Sequence, residues 1–171
     1  MKDESFDIYD GEGNCIGRAL RSECHGNPSL LHHTSHVVVF HPDGERILLQ
    51  KRSMSKDVQP GRWDTAVGGH VDPGEDYLAA ALRELREELG FVAGAKDLRH
   101  LFDSKIRNEI ESEDVRVYGL QSAGPFRCQP EEIDEIRFWT RAELDDPENR
   151  KSFTPNLIAE LGLLLQKGLL P

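Results

Sequence analysis

The spacing of apolar positions changes along this chain between the alternation of a strand and the three-to-four repeat of a helix. Residues 6–9 and 16–21 flank the turn-rich run Asp10-Gly11-Glu12-Gly13-Asn14 and predict an N-terminal β-hairpin. Residues 36–40 and 46–52 flank His41-Pro42-Asp43-Gly44, with Pro second and Gly fourth as a type I turn prefers, and predict a second hairpin. Pro60-Gly61 breaks the chain before an extended stretch at 62–67. Asp72-Pro73-Gly74 is a turn, and 76–89 follows with helical periodicity, ended by Gly90. Further strands are predicted at 98–107 and 115–121, around a charged tip at 108–114, and at 133–139. Thr140-Arg141-Ala142-Glu143 has capping-box spacing and opens a short helix. Thr154-Pro155 supplies an N-cap and a first-turn Pro for a C-terminal helix over 156–167. Strands and helices mixed in this way predict an α/β domain with a mixed sheet and helices on its faces. No repeat or linker divides the sequence, so residues 1–171 are read as one domain.

Composition narrows the function. Hydrophobic residues make up 37% of the chain, with 15 glycines beside them, near the lower edge of ordinary globular usage. A chain of 171 residues buries roughly two-thirds of its unfolded surface and needs no metal or disulfide merely to fold. The 31 acidic and 21 basic residues leave a net charge of −10, which argues against a duplex nucleic acid or an anionic membrane as partner. Cys15, Cys24 and Cys128 are too few and too scattered for a disulfide framework and fit a reducing cytosol. Met1-Lys2-Asp3-Glu4 opens no basic flank with an apolar stretch behind it, so no signal peptide is expected; the location expected is cytoplasmic.

The helix at 76–89 carries the candidate chemistry. Leu78, Leu82, Leu85 and Leu89 form one apolar stripe, and Glu84, Glu87 and Glu88 crowd a neighbouring face within about 100° of arc. Such crowding costs a few tenths of a kcal/mol per like-charge pair on an isolated helix. From the residues alone, the face is either a solvated acidic surface, partly neutralised by Arg83 pairing with Glu87, or a site for a hard cation. Mg²⁺ takes carboxylate oxygens and shares its remaining positions with water and substrate phosphates.

The wider spacing separates these readings. Gly69, five residues, Glu75, seven residues and then Arg83-Glu84-Leu85-Arg86-Glu87-Glu88-Leu89-Gly90-Phe91 resembles the Nudix box at every defined position. Chance agreement somewhere in a chain of this length is on the order of 10⁻⁷. The resemblance implies a Nudix-like α/β/α sandwich, with the box at 69–91 binding Mg²⁺ or Mn²⁺ and a substrate diphosphate. It implies Glu84, Glu87 and Glu88 as metal ligands or base, with the Gly68 carbonyl as a further ligand. Glu75 and Arg83 match the ion pair that holds the loop against the helix beside Gly69.

Leu49-Gln50-Lys51-Arg52-Ser53-Met54-Ser55-Lys56 and Pro60-Gly61-Arg62-Trp63 extend the resemblance to type I isopentenyl-diphosphate isomerases and their hydrolase relatives. This implies that Arg52 and Lys56 hold the substrate diphosphate, consistent with the local positive charge an acidic protein needs to handle an anion. His25, His32 and His70 match positions that bind a metal in the isomerases, and acidic residues of Glu111-Ser112-Glu113-Asp114 would complete such a set. Otherwise these are ordinary surface or hydrogen-bonded histidines. Two positions depart from the isomerase pattern. Gly68 stands where the isomerase has a catalytic Cys, and Phe153-Thr154-Pro155-Asn156 lacks the Trp that faces a carbocation. Glycine delivers no proton, and asparagine offers no π-face. Trp63, Phe138 and Trp139 read as core packing, and Cys24 and Cys128 as small thiols.

The function expected is therefore hydrolysis of a diphosphate bond in a small organic or nucleoside diphosphate, assisted by a divalent metal. The alternatives are an isomerase-like enzyme and a non-catalytic diphosphate sensor. The partner expected is a small-molecule diphosphate, with neither nucleic acid nor membrane, and a homodimer is compatible with the sequence.

Overall fold

Strand β3 (Leu31–Phe40) is the hub of the molecule, in a computed structural model that describes residues 3–171. Met1 and Lys2, on which the reading of the N-terminus partly rests, lie outside the described residues. The N-terminal hairpin forms from β1 (Ser5–Tyr9) and β2 (Cys15–Leu20) and joins β3 at Tyr9↔Leu31. A single helical turn, α1 (Arg21–Cys24), which the periodicity did not predict, connects β2 to β3.

β3 and β4 (Arg46–Arg52) flank the expected turn, but they pair only at Phe40↔Ile47 and then diverge. The second hairpin is thus a turn with splayed arms. β3 takes β8 (Ser112–Gln121) in parallel from Leu31↔Ser112 to Phe40↔Gln121, and β6 (Val67–His70) antiparallel from Thr34↔His70 to Val37↔Val67. β4 takes β5 (Trp63–Thr65) and β9 (Ile133–Thr140), both antiparallel. β7 (Arg99–Arg107) pairs with β8. The stretch expected at 62–67 is therefore two short strands, and the second runs into Gly68-Gly69. The expected tip at 108–114 is shorter, because Asn108 accepts the Ile110 and Glu111 N–H groups and β8 begins at Ser112.

Helices cover both faces of this mixed sheet. Strand side chains alternate, so Val38, Ile47 and Leu49 face one core while Val37, Val39 and Leu48 face the other. Helix α2 (Tyr77–Leu89) closes the second core with fully buried Leu85 and Leu89, each worth about 1.5–3 kcal/mol. Leu78 and Leu82, from the same stripe, are half-buried at its edge. Asp76 caps the helix by accepting the Ala79 N–H at 2.7 Å, and Gly90 ends it in the left-handed conformation at φ 61°.

On the other face, the Thr140 capping box opens α3 (Arg141–Asp145), followed by a turn of helix, α4 (Pro147–Arg150), which the sequence reading missed. Thr154 caps α5 (Pro155–Gln166), whose Leu157, Leu161 and Leu164 pack against Trp63, Trp139 and Phe153. Trp63 and Trp139 meet edge to face with centroids 5.1 Å apart, as core residues; Phe138 is half-buried on the opposite face. No described helix is long and apolar enough to cross a membrane.

Candidate active site

The site begins with an arginine that pins a loop. Arg83 donates to both oxygens of Glu75, Nε at 2.9 Å and Nη2 at 3.0 Å, and Nη2 also donates to the His70 carbonyl at 2.9 Å. Glu75 in turn accepts the Asp72 N–H at 3.1 Å. These bonds fix the loop between β6 and α2 before any ligand is considered. Close approach follows at Gly69, where a Cβ would stand 2.2 Å from the Glu84 carboxyl carbon, so any side chain there would displace the Glu84 carboxylate.

The three box carboxylates differ in environment. Glu88 is buried and accepts the Gly68 N–H at 3.3 Å and Gln50 Nε2 at 3.4 Å. Glu84 is half-buried, with Arg83 Nη1 at 2.7 Å. Glu87 is 48% exposed at the rim and takes only Arg83 Nη1 at 3.3 Å, the pairing the sequence suggested. Burial, offset by Arg83, pushes Glu84 up from 4.5 to about 7. Glu88 is raised well above the ordinary range by burial and then by Glu84. Two inward carboxylates held at a cost, with few cationic partners, suit a hard divalent cation.

Arg52 and Lys56 line the same cavity of about 350 Å³ as these carboxylates. Arg52 Nε donates to the Val58 carbonyl at 3.0 Å, and its Nη1 lies 3.6 Å from Asp64; Lys56 pairs with Glu132. Both cations thus stand at the cavity wall, each already paired with neighbouring oxygens.

A second cluster opens onto the cavity. His25, His32, His70, Glu111 and Glu113 bring one donor atom each to within 4.8 Å of one another. Glu113 Oε1 lies 3.2 Å from Nε2 of both His32 and His70. His32 Nδ1 is 3.2 Å from the Leu30 carbonyl, which leaves Nε2 to face the cluster, the arrangement metal-ligating histidines show. His25 Nε2 is buried without a hydrogen bond, and burial lowers its ring to about 4, so it is neutral and able to ligate. Burial, then Glu113, raises Glu111 to about 7. Phe6 stacks on His70 at 4.3 Å and on His32 at 5.2 Å, fixing both rings. The donor set fits a transition metal. Asp114, grouped with Glu111 and Glu113 in the sequence, instead turns outward and pairs with Arg107 at 2.8 Å, because β8 sends successive side chains to opposite faces.

One buried pair, of which His36 lines the cavity, escaped the sequence reading. His36 on β3 gives Nδ1 to Glu160 of α5 at 2.6 Å, and both are buried. Burial lowers the affinity of the ring for its proton, but Glu160 outweighs it and raises His36 to about 9. Asp64, Thr34 and Asn156 lie on the same wall. The signal available was a titratable residue beside or within an apolar stretch: His36 directly before Val37-Val38-Val39, and Glu160 between Ala159 and Leu161.

Comparison with known proteins agrees with this geometry. The NUDIX domain model matches residues 31–161. An uncharacterised Nudix hydrolase of Yersinia pestis is 36% identical over 169 residues, covering 96% of this chain and 87% of its own length. An isopentenyl-diphosphate Delta-isomerase of Streptomyces griseus is 34% identical over 154 residues, covering 87% of this chain and 77% of its own. A crystal structure of a Deinococcus radiodurans protein superposes with a TM-score of 0.78 at 25% identity, covering 92% of this chain and 96% of that one.

Proposed function

The chain belongs to the NUDIX family of hydrolases, and we propose that it cleaves a diphosphate bond in a small organic or nucleoside diphosphate with the help of Mg²⁺ or Mn²⁺. The observation that carries this reading is the pinned loop and helix, with Glu84 and Glu88 facing a cavity that Arg52 and Lys56 also line. Glu84, Glu87 and Glu88, with the Gly68 carbonyl, would hold the metal. When bound, the ion neutralises the diphosphate and acidifies the attacking water. Arg52 and Lys56 bind and orient the phosphate oxygens, and a box carboxylate accepts the proton that water gives up. Arg83 and Glu75 keep the loop in place throughout. His25, His32, His70, Glu111 and Glu113 would hold a second, softer metal ion. Three free thiols support a reducing, cytoplasmic setting.

A second reading, isomerisation of a prenyl diphosphate, is favoured by the histidine–carboxylate cluster and by the 34% identical isomerase. Gly68 and Asn156 count against it, since neither supplies an acid or a π-face. A phosphate-release screen over nucleotides, sugar nucleotides and prenyl diphosphates with Mg²⁺ and Mn²⁺, run beside a double-bond migration assay, decides between the two. Migration without phosphate release would reverse the order.

A further inference from the structure

We propose that the wall of the cavity formed by Thr34, His36, Asp64 and Asn156 recognises a small hydroxylated group on the substrate and selects against prenyl diphosphates. This deepens the hydrolase reading above and rests on it for the diphosphate end. The wall is polar where an alkyl chain would need apolar contacts. Thr34 is buried, and its hydroxyl has no hydrogen-bond partner among the described residues. Buried hydroxyls are normally satisfied, so this one calls for a partner. His36 spends Nδ1 on Glu160 at 2.6 Å, which fixes the ring and leaves Nε2 for a cavity group. Gly68 makes room for that ring: a Cβ there would stand 3.2–3.3 Å from it. Asp64 accepts the Thr65 N–H through Oδ1 at 2.8 Å, and its Oδ2 lies 3.6 Å from Arg52.

Chemistry chooses the ligand class. A hydroxyl both donates and accepts, so it pairs with imidazole in either protonation state, with threonine, with carboxylate and with amide. An alkyl chain pairs with none and would leave the Thr34 hydroxyl and the His36 Nε2 without a partner. The cavity of about 350 Å³ is near the lower end of ligand pockets, roughly 300–1,000 Å³, so the group is small, on the scale of a pentose or polyol.

The test compares ribose 5-diphosphate with isopentenyl diphosphate, which share the diphosphate and differ in the organic group. The wild-type enzyme should prefer the former by about a hundredfold or more in kcat/KM, since sites built to hydrogen-bond reject analogues that cannot. The double variant His36→Leu/Glu160→Leu removes the buried pair together, and Thr34→Val is nearly isosteric. Each should shrink the preference at least about tenfold, mainly by raising KM for the hydroxylated substrate. Melting shifts with methylene-bridged, non-hydrolysable analogues of both compounds give a readout independent of turnover. An equal response to both analogues in the wild type, or a preference that survives both variants, overturns the inference. Turnover of neither compound, with the analogues still discriminated, would exclude both as substrates and still uphold the wall.

Discussion

His36 occupies the space into which a side chain at position 68 would project: a Cβ on Gly68 would stand 3.2 Å from Cδ2 and 3.3 Å from Nε2 of the ring. The ring cannot easily retreat, because Glu160 holds Nδ1 at 2.6 Å and both residues are buried. The glycine where the isomerases place a cysteine is therefore matched to a histidine on the neighbouring strand, paired with it as His36↔Gly68. The two positions work as a unit.

Restoring the cysteine should consequently fail to restore isomerisation. Gly68→Cys and Gly68→Ala both crowd the His36 ring, and overpacking a filled site costs roughly 1–3 kcal/mol. For a chain of this size that is a fall of about 2–4 °C in Tm per kcal/mol. Both variants should melt lower and hydrolyse diphosphates more slowly, and Gly68→Cys should show no alkene migration. A Gly68→Cys protein of wild-type Tm that isomerises isopentenyl diphosphate would contradict the steric argument.

How much of this was legible in sequence depended on how local each feature is. The helix of the box could be read residue by residue, because its stripe and its Gly90 terminus lie within one stretch of chain; that Asp76 is its cap and not its first residue came from the structure. β3 was read too short, from residue 36 instead of Leu31. Its first half carries Thr34 and His36, which face the cavity, and His32, which is buried against Phe6 and Glu113, and all three break the apolar alternation. The role of Glu113 depended on where β8 begins, and a one-residue slip would exchange Glu113 for Asp114 at the histidines. His36 and Glu160 are 124 residues apart, and only tertiary packing makes them neighbours.

Apo-protein stability should fall as pH rises, and metal should oppose the fall. Glu84 titrates at about 7 in the folded protein against an ordinary 4.5, through burial. A raised pKa means that the folded state holds the proton more tightly. The contribution is complete below about pH 4.5 and lost as pH rises through 7, on the order of 3 kcal/mol. Glu88 acts in the same direction. A bound divalent cation replaces those protons, so the gain in Tm on adding Mg²⁺ should grow between pH 5 and 8, and Glu84→Gln should flatten that growth. His36, raised to about 9, also loses stability above about pH 6.5, and comparison with the variant removes that background. A Mg²⁺ shift constant across this range would argue against occupancy at the box.

The histidine cluster should bind a transition metal independently of the box. Metal-free protein titrated with Co²⁺ should develop the visible absorption of a site with nitrogen and oxygen ligands. Glu113→Gln, which weakens a carboxylate ligand and the acceptor shared by His32 and His70, should lower affinity by at least about tenfold, and Glu88→Gln should leave it unchanged. Equal affinity in the wild type and Glu113→Gln would reduce the cluster to a hydrogen-bonded network.

The last prediction uses the contrast between two adjacent carboxylates. Glu88 is buried, with only the Gly68 N–H and Gln50 amide as donors, whereas Glu87 is 48% exposed and meets Arg83 alone. Glutamine preserves shape and helix propensity at both positions, so changes in charge and ligation remain. At Glu88 the substitution removes a costly buried charge. Apo-protein stability should then rise at neutral pH, the gain vanishing as pH falls toward the ordinary carboxylate value of 4.5, where the unfolded chain takes up the proton as well. Turnover should fall at least about a hundredfold, or 2.7 kcal/mol in the barrier, because a charged oxygen ligand is lost. At Glu87 the apo-protein should change by no more than a few tenths of a kcal/mol, since its pairing is a surface one. Turnover should nevertheless drop if this carboxylate ligates the metal or accepts the proton. Melting curves in chelator and turnover rates for both variants separate the roles. A Glu88→Gln protein with wild-type turnover would remove the box from the chemistry. A Glu87→Gln protein with wild-type turnover would assign the metal and the proton transfer to Glu84 and Glu88, and leave Glu87 as the outer partner of Arg83.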